Sequence, residues 1–287
     1  MNVSTFIARR RTVSAPGGEI AYTEFGDAPG APAGLFVHGL ATGGVMWRHV
    51  IEQLSDTTRC VAIDLPAHGG TPARPDLSIT ALAGVLAELC GALGLDQVDL
   101  VANDTGGAIS QVFAAHYPEG LRSLTLTNCD TDGNFPPPEF APMVELARRG
   151  ELAPLFAGIG GNPASWPAGP LAVLYNDPAA VPEDVWREYY APAGASPDRA
   201  RDVERMVAAF EPAHLAAVTP ALRTLRVPAL IVWGTADENN FGVKWAYQLH
   251  DTIPGARDVI EVDGAKLLFP EERPGDLVPH LRDFWGR

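Results

Sequence analysis

The chain has little cysteine and even less lysine. Its 287 residues include three cysteines, Cys60, Cys90 and Cys129, and two lysines, Lys244 and Lys266. Three cysteines exclude a disulfide framework, and Cys60 and Cys90 fall in apolar segments where cysteine is typical of a small core residue. The chain lacks the His and Cys spacing of a metal site, so we expect neither a metal nor a cofactor.

Positive charge is also scarce. The 21 Lys and Arg face 35 Asp and Glu, a formal net charge of −14. Nucleic acids and anionic membranes bind basic patches, so neither is an expected partner. No apolar run is long enough for a bilayer span, and residues 1–11 lack the apolar core of a signal peptide. We therefore expect a cytoplasmic protein, monomer or homodimer, with a small-molecule substrate.

Short apolar segments alternate with helical ones through the first half of the chain. Strands are predicted before His38, before Asp64 and at 121–127, and Ser78 is predicted to cap a helix over 79–93. Such alternation predicts an α/β fold with a mostly parallel sheet and helices on both faces. We expect a core of residues 1–131 and 226–287, with residues 132–225 inserted as a helical cap.

Aromatic residues are frequent in and around the predicted cap, which suggests an apolar pocket beneath it. The alternative is that these side chains attach the cap to the core. The predicted pocket residues are His38, Trp47, Phe135, Trp166, Tyr175, Trp186, Tyr189, Tyr190 and Leu267. Phe156, Leu174 and Phe210 also contribute apolar surface to the cap.

Residues 101–107 read VANDTGG and place an aspartate between a β-rich segment and an amphipathic helix. A side chain at the apex of so tight a turn needs small neighbours, which Ala102, Gly106 and Gly107 supply. This is the small-x-nucleophile-x-small pattern of a nucleophile elbow, with a carboxylate at its apex. Asp104 is therefore either a reactive carboxylate or the N-cap of the following helix.

Three further turns follow predicted strands: HG at 38–39, DLPAHG at 64–69 and GTAD at 234–237. Together with the elbow, these motifs resemble the α/β-hydrolase superfamily over nearly the whole chain. The aspartate elbow NDTGG resembles the haloalkane dehalogenase and epoxide hydrolase branch. That resemblance implies an α/β-hydrolase fold and an aspartate that attacks carbon to form an ester, which a histidine-activated water then hydrolyses.

The resemblance also implies roles for particular residues. Asp104 matches the nucleophile, and the backbone N–H groups of Leu40 and Thr105 match the oxyanion-hole donors. Asp237 matches the acid that supports the histidine, and Asp130 lies near the alternative position for that acid.

The sequence departs from both members of the branch. Haloalkane dehalogenases hold the halide with a tryptophan beside the nucleophile and often an asparagine after HG, where this chain has Thr105 and Leu40. Epoxide hydrolases tend to have a proline after HG, which is absent here, and two cap tyrosines. Tyr175, Tyr189 and Tyr190 are the candidates for those tyrosines.

The largest departure is the missing histidine. The last loop, residues 263–274, reads DGAKLLFPEERP, and its two alignments place Lys266 or Leu267 at the position of the base. A lysine between two carboxylates keeps its proton, so Lys266 would be a cation paired with Asp104 or Asp237. In the alternative, Lys266 points to solvent and leucines close the site.

His214, where the cap returns to the core, is the one histidine that we consider as a replacement base. The predicted function is an enzyme of the epoxide hydrolase or dehalogenase type acting on a small apolar molecule through Asp104. Two alternatives stay open. One is a lyase or isomerase that uses the same carboxylate with Lys266 stabilising charge; the other is a ligand-binding protein that has lost catalysis.

Overall fold

The computed structural model describes residues 1–27 and 32–286. Its centre is an eight-stranded sheet with strand order β1-β2-β4-β3-β5-β6-β7-β8. The strands are β1 (Arg10–Ala15), β2 (Gly18–Phe25), β3 (Ala33–Val37), β4 (Cys60–Ile63), β5 (Val98–Asp104), β6 (Leu121–Cys129), β7 (Ala229–Gly234) and β8 (Ala256–Val262). The β1–β2 and β2–β4 pairs are antiparallel and the other five pairs of this sheet are parallel, which confirms the predicted α/β fold with its mostly parallel sheet.

The helices that pack on the sheet follow the apolar periodicity of the sequence. The helix predicted over 79–93 is present with those bounds, and the Ser78 side chain accepts a hydrogen bond from the Ala81 backbone N–H. Helices of the core are α1 (Val3–Ile7), α2 (Arg48–Leu54), α3 (Ile79–Leu93), α4 (Thr105–His116), α10 (Glu238–Phe241), α11 (Lys244–Thr252), α12 (Phe269–Glu272) and α13 (Val278–Trp285). Within the described part of the chain, no helix is both long and apolar enough to cross a membrane.

The chain between β6 and β7 is helical. Its helices are α5 (Ala141–Arg148), α6 (Ala153–Gly160), α7 (Glu183–Gly194), α8 (Pro197–Ala208) and α9 (Ala213–Leu222), joined by short 3₁₀ turns. This segment, called the cap below, lies over the ends of the central strands because residues from it and from those ends line one cavity. The exact cap boundaries of 132 and 225 stay a prediction.

Candidate active site

Asp104 is the last residue of β5 and stands at a sharp turn into α4. Its backbone has φ 55° and ψ −134°, a conformation that is unfavourable for a residue with a Cβ. Small neighbours make the turn possible. A Cβ at Gly106 would lie 2.4 Å from the His38 carbonyl oxygen, and a Cβ at Gly107 would lie 2.3 Å from the Cys129 Cβ.

Asp104 occupies the N-cap position of α4, but its side chain makes none of the hydrogen bonds of a helix cap, so the interpretation of its carboxylate as a capping group is wrong. Instead, the Leu40 backbone N–H donates to Asp104 Oδ2 at 2.9 Å. Burial raises the pKa of Asp104 to about 6, while hydrogen bonds from the Thr105 and Leu40 backbone act in the opposite direction. The carboxylate is therefore held by the two predicted oxyanion-hole donors and still ionises near neutral pH.

Gly39 allows this approach of the two turns. A Cβ there would lie 2.1 Å from Asp104 Oδ2, so any larger residue would displace the carboxylate from the Leu40 N–H. The HG turn and the elbow therefore fit together only because residue 39 has no side chain.

The two candidate acids, Asp130 and Asp237, occupy different environments. Asp130 follows β6 and lines the same cavity as Asp104. Asp237 does not line that cavity, and Asn128 Nδ2 donates to its Oδ2 at 3.3 Å. Burial raises the pKa of Asp237 to about 6, although hydrogen bonds from Asn128 and Asn240 lower it. The cavity thus contains two carboxyl groups, with a third behind its wall.

Leu267, one of the two residues that the sequence aligns with the position of the base, lines the cavity. This side chain is 2% exposed and lines the cavity with Asp104, and its carbonyl accepts a hydrogen bond of 3.0 Å from Asn103 Nδ2. Lys266 Nζ donates instead to the Val173 carbonyl of the cap at 3.2 Å. Of these two residues, only Leu267 is among the described residues that line the cavity.

The prediction that Lys266 forms an ion pair with Asp104 or Asp237 is wrong. Between the described residues, no ion pair links Lys266 to either carboxylate. Its positive charge still lowers the pKa of Asp237, but less than burial raises it. The contact with Val173 makes Lys266 a link between the last loop and the cap.

No histidine is among the described residues that line the cavity. His38, a predicted pocket residue, is fully buried outside it, and its Nε2 accepts from the Leu65 N–H at 2.9 Å. Burial lowers the pKa of His38 to about 4, so the ring is neutral and holds two loops together. His214 pairs with the Thr80 hydroxyl at 3.1 Å on the exposed surface, which excludes it as a base here.

The cavity has a volume of about 310 Å³, within the range of small-molecule sites. Of the predicted pocket residues, Tyr190 and Leu267 line it, together with Phe156, Leu174 and Phe210. Most residues of the cavity wall were not predicted, because the sequence around an isolated aliphatic residue or proline does not show whether it lines a pocket or lies in the core. The missed residues are Ala41, Pro136, Pro137, Phe140, Met143, Leu155, Ile159, Pro170, Leu171, Val173, Asn240 and Phe241.

Most of the predicted aromatic pocket residues lie behind the wall. Trp47 packs on Phe36 with ring centroids 5.5 Å apart, and Phe135 packs on Phe210 at 5.2 Å. Trp186 stacks on Tyr190 at 6.0 Å, and Trp166 lies 6.3 Å from the same ring. Their assignment to the pocket is corrected accordingly: these large rings are buried as supports because they stabilise most when fully enclosed.

Tyr175 and Tyr189, also predicted to reach the pocket, bind a buried glutamate. Their hydroxyls donate to Glu271 Oε2 at 2.5 and 2.7 Å, and Arg48 forms an ion pair with Oε1 of the same carboxylate. Arg48 and Glu271 belong to the core and both tyrosines to the cap. We call this four-residue cluster the cap latch. The hydroxyl protons of Tyr175 and Tyr189 are donated to Glu271, so these two tyrosines do not offer them to an epoxide in the cavity.

Across residues 1–27 and 32–286, no three His, Cys, Asp or Glu side chains come together as a metal-binding group. Asp104 and Asp130 are the only acidic side chains among the described cavity-lining residues.

Comparison with known proteins agrees with this architecture. Epoxide hydrolase 1 of Caenorhabditis elegans is 35% identical over 107 residues, which are 36% of this chain and 26% of that protein. Cis-3-alkyl-4-alkyloxetan-2-one decarboxylase of Xanthomonas campestris pv. campestris is 28% identical over 295 residues, 95% of this chain and 94% of that protein. The first of these matches thus spans about a quarter of its relative's length.

Similarity of fold extends over nearly the whole molecule. The crystal structure of the haloalkane dehalogenase DbeA from Bradyrhizobium elkani USDA94 matches with a TM-score of 0.80 at 23% identity, over 96% of this chain and 97% of that one. A family model described as alpha/beta hydrolase fold matches residues 35–273. Because that match covers most of the chain and includes the elbow, the HG turn and the last loop, the protein belongs to the alpha/beta hydrolase fold family.

Proposed function

We propose that this protein is an enzyme that opens a strained oxygen ring, such as an epoxide or a four-membered lactone, by attack of Asp104 on a ring carbon. The observation that carries the proposal is the Asp104 carboxylate, fixed by the Leu40 N–H at 2.9 Å in the wall of an otherwise apolar cavity. Fixing one oxygen orients the other for attack, and apolar neighbours solvate the carboxylate less than bulk water does, which strengthens the nucleophile.

The apolar wall supports a substrate with alkyl or aryl substituents. Phe140, Met143, Leu155, Phe156 and Phe210 surround the space above the carboxylates. Such a cavity gains little from binding a charged or sugar-like molecule, whose polar groups would lose water without finding partners.

The names of two relatives support the same substrate class. One is an epoxide hydrolase, and the other acts on an oxetan-2-one that carries two alkyl groups. Both rings release strain when a C–O bond breaks, so a carboxylate nucleophile suffices. Removal of halide is less well supported, because Thr105 replaces the indole donor beside the nucleophile.

Leu267 favours a second candidate function, a lyase or isomerase reaction at the same site. No imidazole faces Asp104, so an ester on this carboxylate has no histidine to activate water against it. Elimination, isomerisation or ring opening without hydrolysis would need Asp104 only as an acid or base.

Intact-protein mass spectrometry after incubation with an apolar epoxide tests the proposal. We expect a stable adduct of the mass of the epoxide on wild-type protein, mapped to Asp104 by peptide sequencing. Asp104→Asn is the control and should give no adduct.

Product formation without an adduct supports the acid–base candidate instead. If neither wild-type protein nor Asp104→Asn forms an adduct or a product, but both bind apolar ligands equally well, the protein binds ligands without catalysis and the proposal fails.

A further inference from the structure

Asp130 lies beside Asp104 for a reason of sheet geometry. β5 and β6 are parallel neighbours, and Asp104 pairs in register with Cys129. Asp130 is the next residue, so the carboxyl ends of two adjacent strands bring both side chains to the same cavity.

The two carboxyl groups have different partners. Asp104 is held by backbone N–H donors, as an anion prefers. Asp130 is 2% exposed, and its Oδ1 is buried without a hydrogen-bond partner. Within the described part of the chain, the hydrogen bond that reaches the Asp130 carboxyl comes from the Thr105 side chain. An ionised carboxylate in this position would leave lone pairs unsatisfied in an apolar surround, whereas a carboxylic acid costs far less.

Burial and charge act together on the Asp130 carboxyl, against the hydrogen bond from the Thr105 side chain, which lowers its pKa. Burial raises the pKa of Asp130 well above its ordinary value, and the neighbouring Asp104 carboxylate raises it further. Two interacting carboxyls in one site do not both ionise readily. Because only Asp104 has N–H donors, the negative charge resides on Asp104 and the proton on Asp130. Environments that separate two carboxyls in this way are typical of an acid–base pair.

We propose that Asp130 is the general acid of the ring-opening reaction, a catalytic residue that gives its proton to the oxygen leaving the carbon attacked by Asp104. This inference rests on the proposed function. The Asp104 carboxylate forms a C–O bond, the ring C–O bond breaks, and its electron pair takes the Asp130 proton. The products are a hydroxyalkyl ester of Asp104 and an Asp130 carboxylate.

Asp237 is less suited to this role. It lies outside the cavity wall, and Asn128 and Asn240 occupy its oxygens. Asp130 lines the cavity with Asp104, whereas Asp237 is not among the described residues that do.

The test compares two electrophiles with Asp130→Asn. An alkoxide leaving group needs a proton, whereas a halide does not. We expect the rate of Asp104 adduct formation to fall about 100-fold with an apolar epoxide, and to stay near that of wild type with benzyl bromide. Asp132→Asn, two residues along the chain and bonded to Thr219 outside the cavity, should change neither rate.

Equal loss with both electrophiles, or no loss with either, would overturn the role of Asp130. Should wild-type protein form no Asp104 adduct with either reagent, the proposed function itself fails, and the general acid with it.

A second measurement needs no variant and so does not depend on folding of Asp130→Asn. The titratable groups facing Asp130 are Asp104 on β5 and Cys129 on β6, with Asp237 acting on Asp104. With the epoxide, the rate of Asp104 adduct formation on wild-type protein should rise with pH as Asp104 ionises and then fall at high pH as Asp130 loses its proton. With benzyl bromide, the rate should rise in the same way but should not fall at high pH. Parallel profiles for the two reagents contradict the proposal.

Discussion

At the scale of single residues, position 267 decides what chemistry the site can complete. Leu267 lines the same cavity as Asp104, while the neighbouring Lys266 donates to the Val173 carbonyl. An imidazole at 267 would enter the cavity, and one at 266 would not. The two alignments of the last loop therefore have different experimental consequences.

Leu267→His should accelerate hydrolysis of the Asp104 ester, which we expect to be long-lived in wild-type protein. The imidazole would stand where water can be activated against the ester, a contribution of about 100-fold or more. Adduct decay after removal of excess epoxide, followed by intact mass, measures the effect. Lys266→His is the matched control and should leave the decay unchanged; faster decay in this variant would show that residue 266, not 267, faces the ester.

Asp104 also lowers the stability of the fold that holds it. Its pKa rises from 3.8 to about 6 on folding, so the folded state binds more protons than the unfolded one between those values. Stability from this group is therefore lost as pH rises through that window. Above it the cost of the buried carboxylate is fully present, about 3 kcal/mol at most.

Asp104→Asn should accordingly be more stable than wild type, since the amide keeps an acceptor for the Leu40 N–H without the charge. We expect the difference in unfolding free energy to reach up to about 3 kcal/mol at pH 8 and roughly half of that at pH 5. Urea unfolding of both proteins at the two pH values measures it. A difference that is independent of pH would contradict this account.

At the scale of elements, the cap is attached to the core by buried polar contacts. The cap latch joins α7 and the turn before it to α2 and α12 through Glu271. On the other side, Arg199 of α8 donates to the Gly69 carbonyl at 3.1 Å, and Arg205 donates to the Pro75 carbonyl at 2.7 Å. The arrangement fixes the roof of the cavity on two sides.

Glu271→Gln should loosen the cap, because it leaves the Arg48 guanidinium buried without its counter-charge. Breaking a buried pair in this way costs about 3–5 kcal/mol. Urea unfolding and hydrogen exchange of cap peptides measure the loss and its location. Glu183→Gln removes an exposed i,i+4 pair with Arg187 and should cost less than about 0.5 kcal/mol. Similar losses in both variants would mean that the latch does not hold the cap.

At the scale of the whole molecule, cap and core share one hydrophobic cluster. It runs from Val3 to Trp285 and includes both cap residues such as Phe156 and core residues such as Leu267. The cap leaves the sheet after β6 and returns to it before β7, so both of its ends are held by the core.

We therefore expect cap and core to unfold together in a single cooperative transition. Far-UV circular dichroism and tryptophan fluorescence should give coincident denaturation curves, since Trp166 and Trp186 report on the cap and Trp47 and Trp233 on the core. An earlier transition confined to the cap tryptophans would show that the cap is an independent unit.

The elements that the sequence predicted well share a local origin. Strand and helix periodicity, the Ser78 cap and the elbow at Asp104 all depend on neighbours a few residues away, and the structure has each of them. That Asp104 and Asp130 lie close together could also be predicted from the sequence, because the carboxyl ends of parallel strands meet at one edge of the sheet.

Local sequence by itself determined the sheet, the turn that carries Asp104 and the small residues that this turn requires. Only the tertiary structure decided which side chains face the cavity. Lys266 meets Val173, 93 residues away, and Asn103 meets the Leu267 carbonyl, 164 residues away. Hydrophobicity predicts that an aromatic ring is buried but not whether it lies in the core or in a cavity wall; the packing of distant segments decides that.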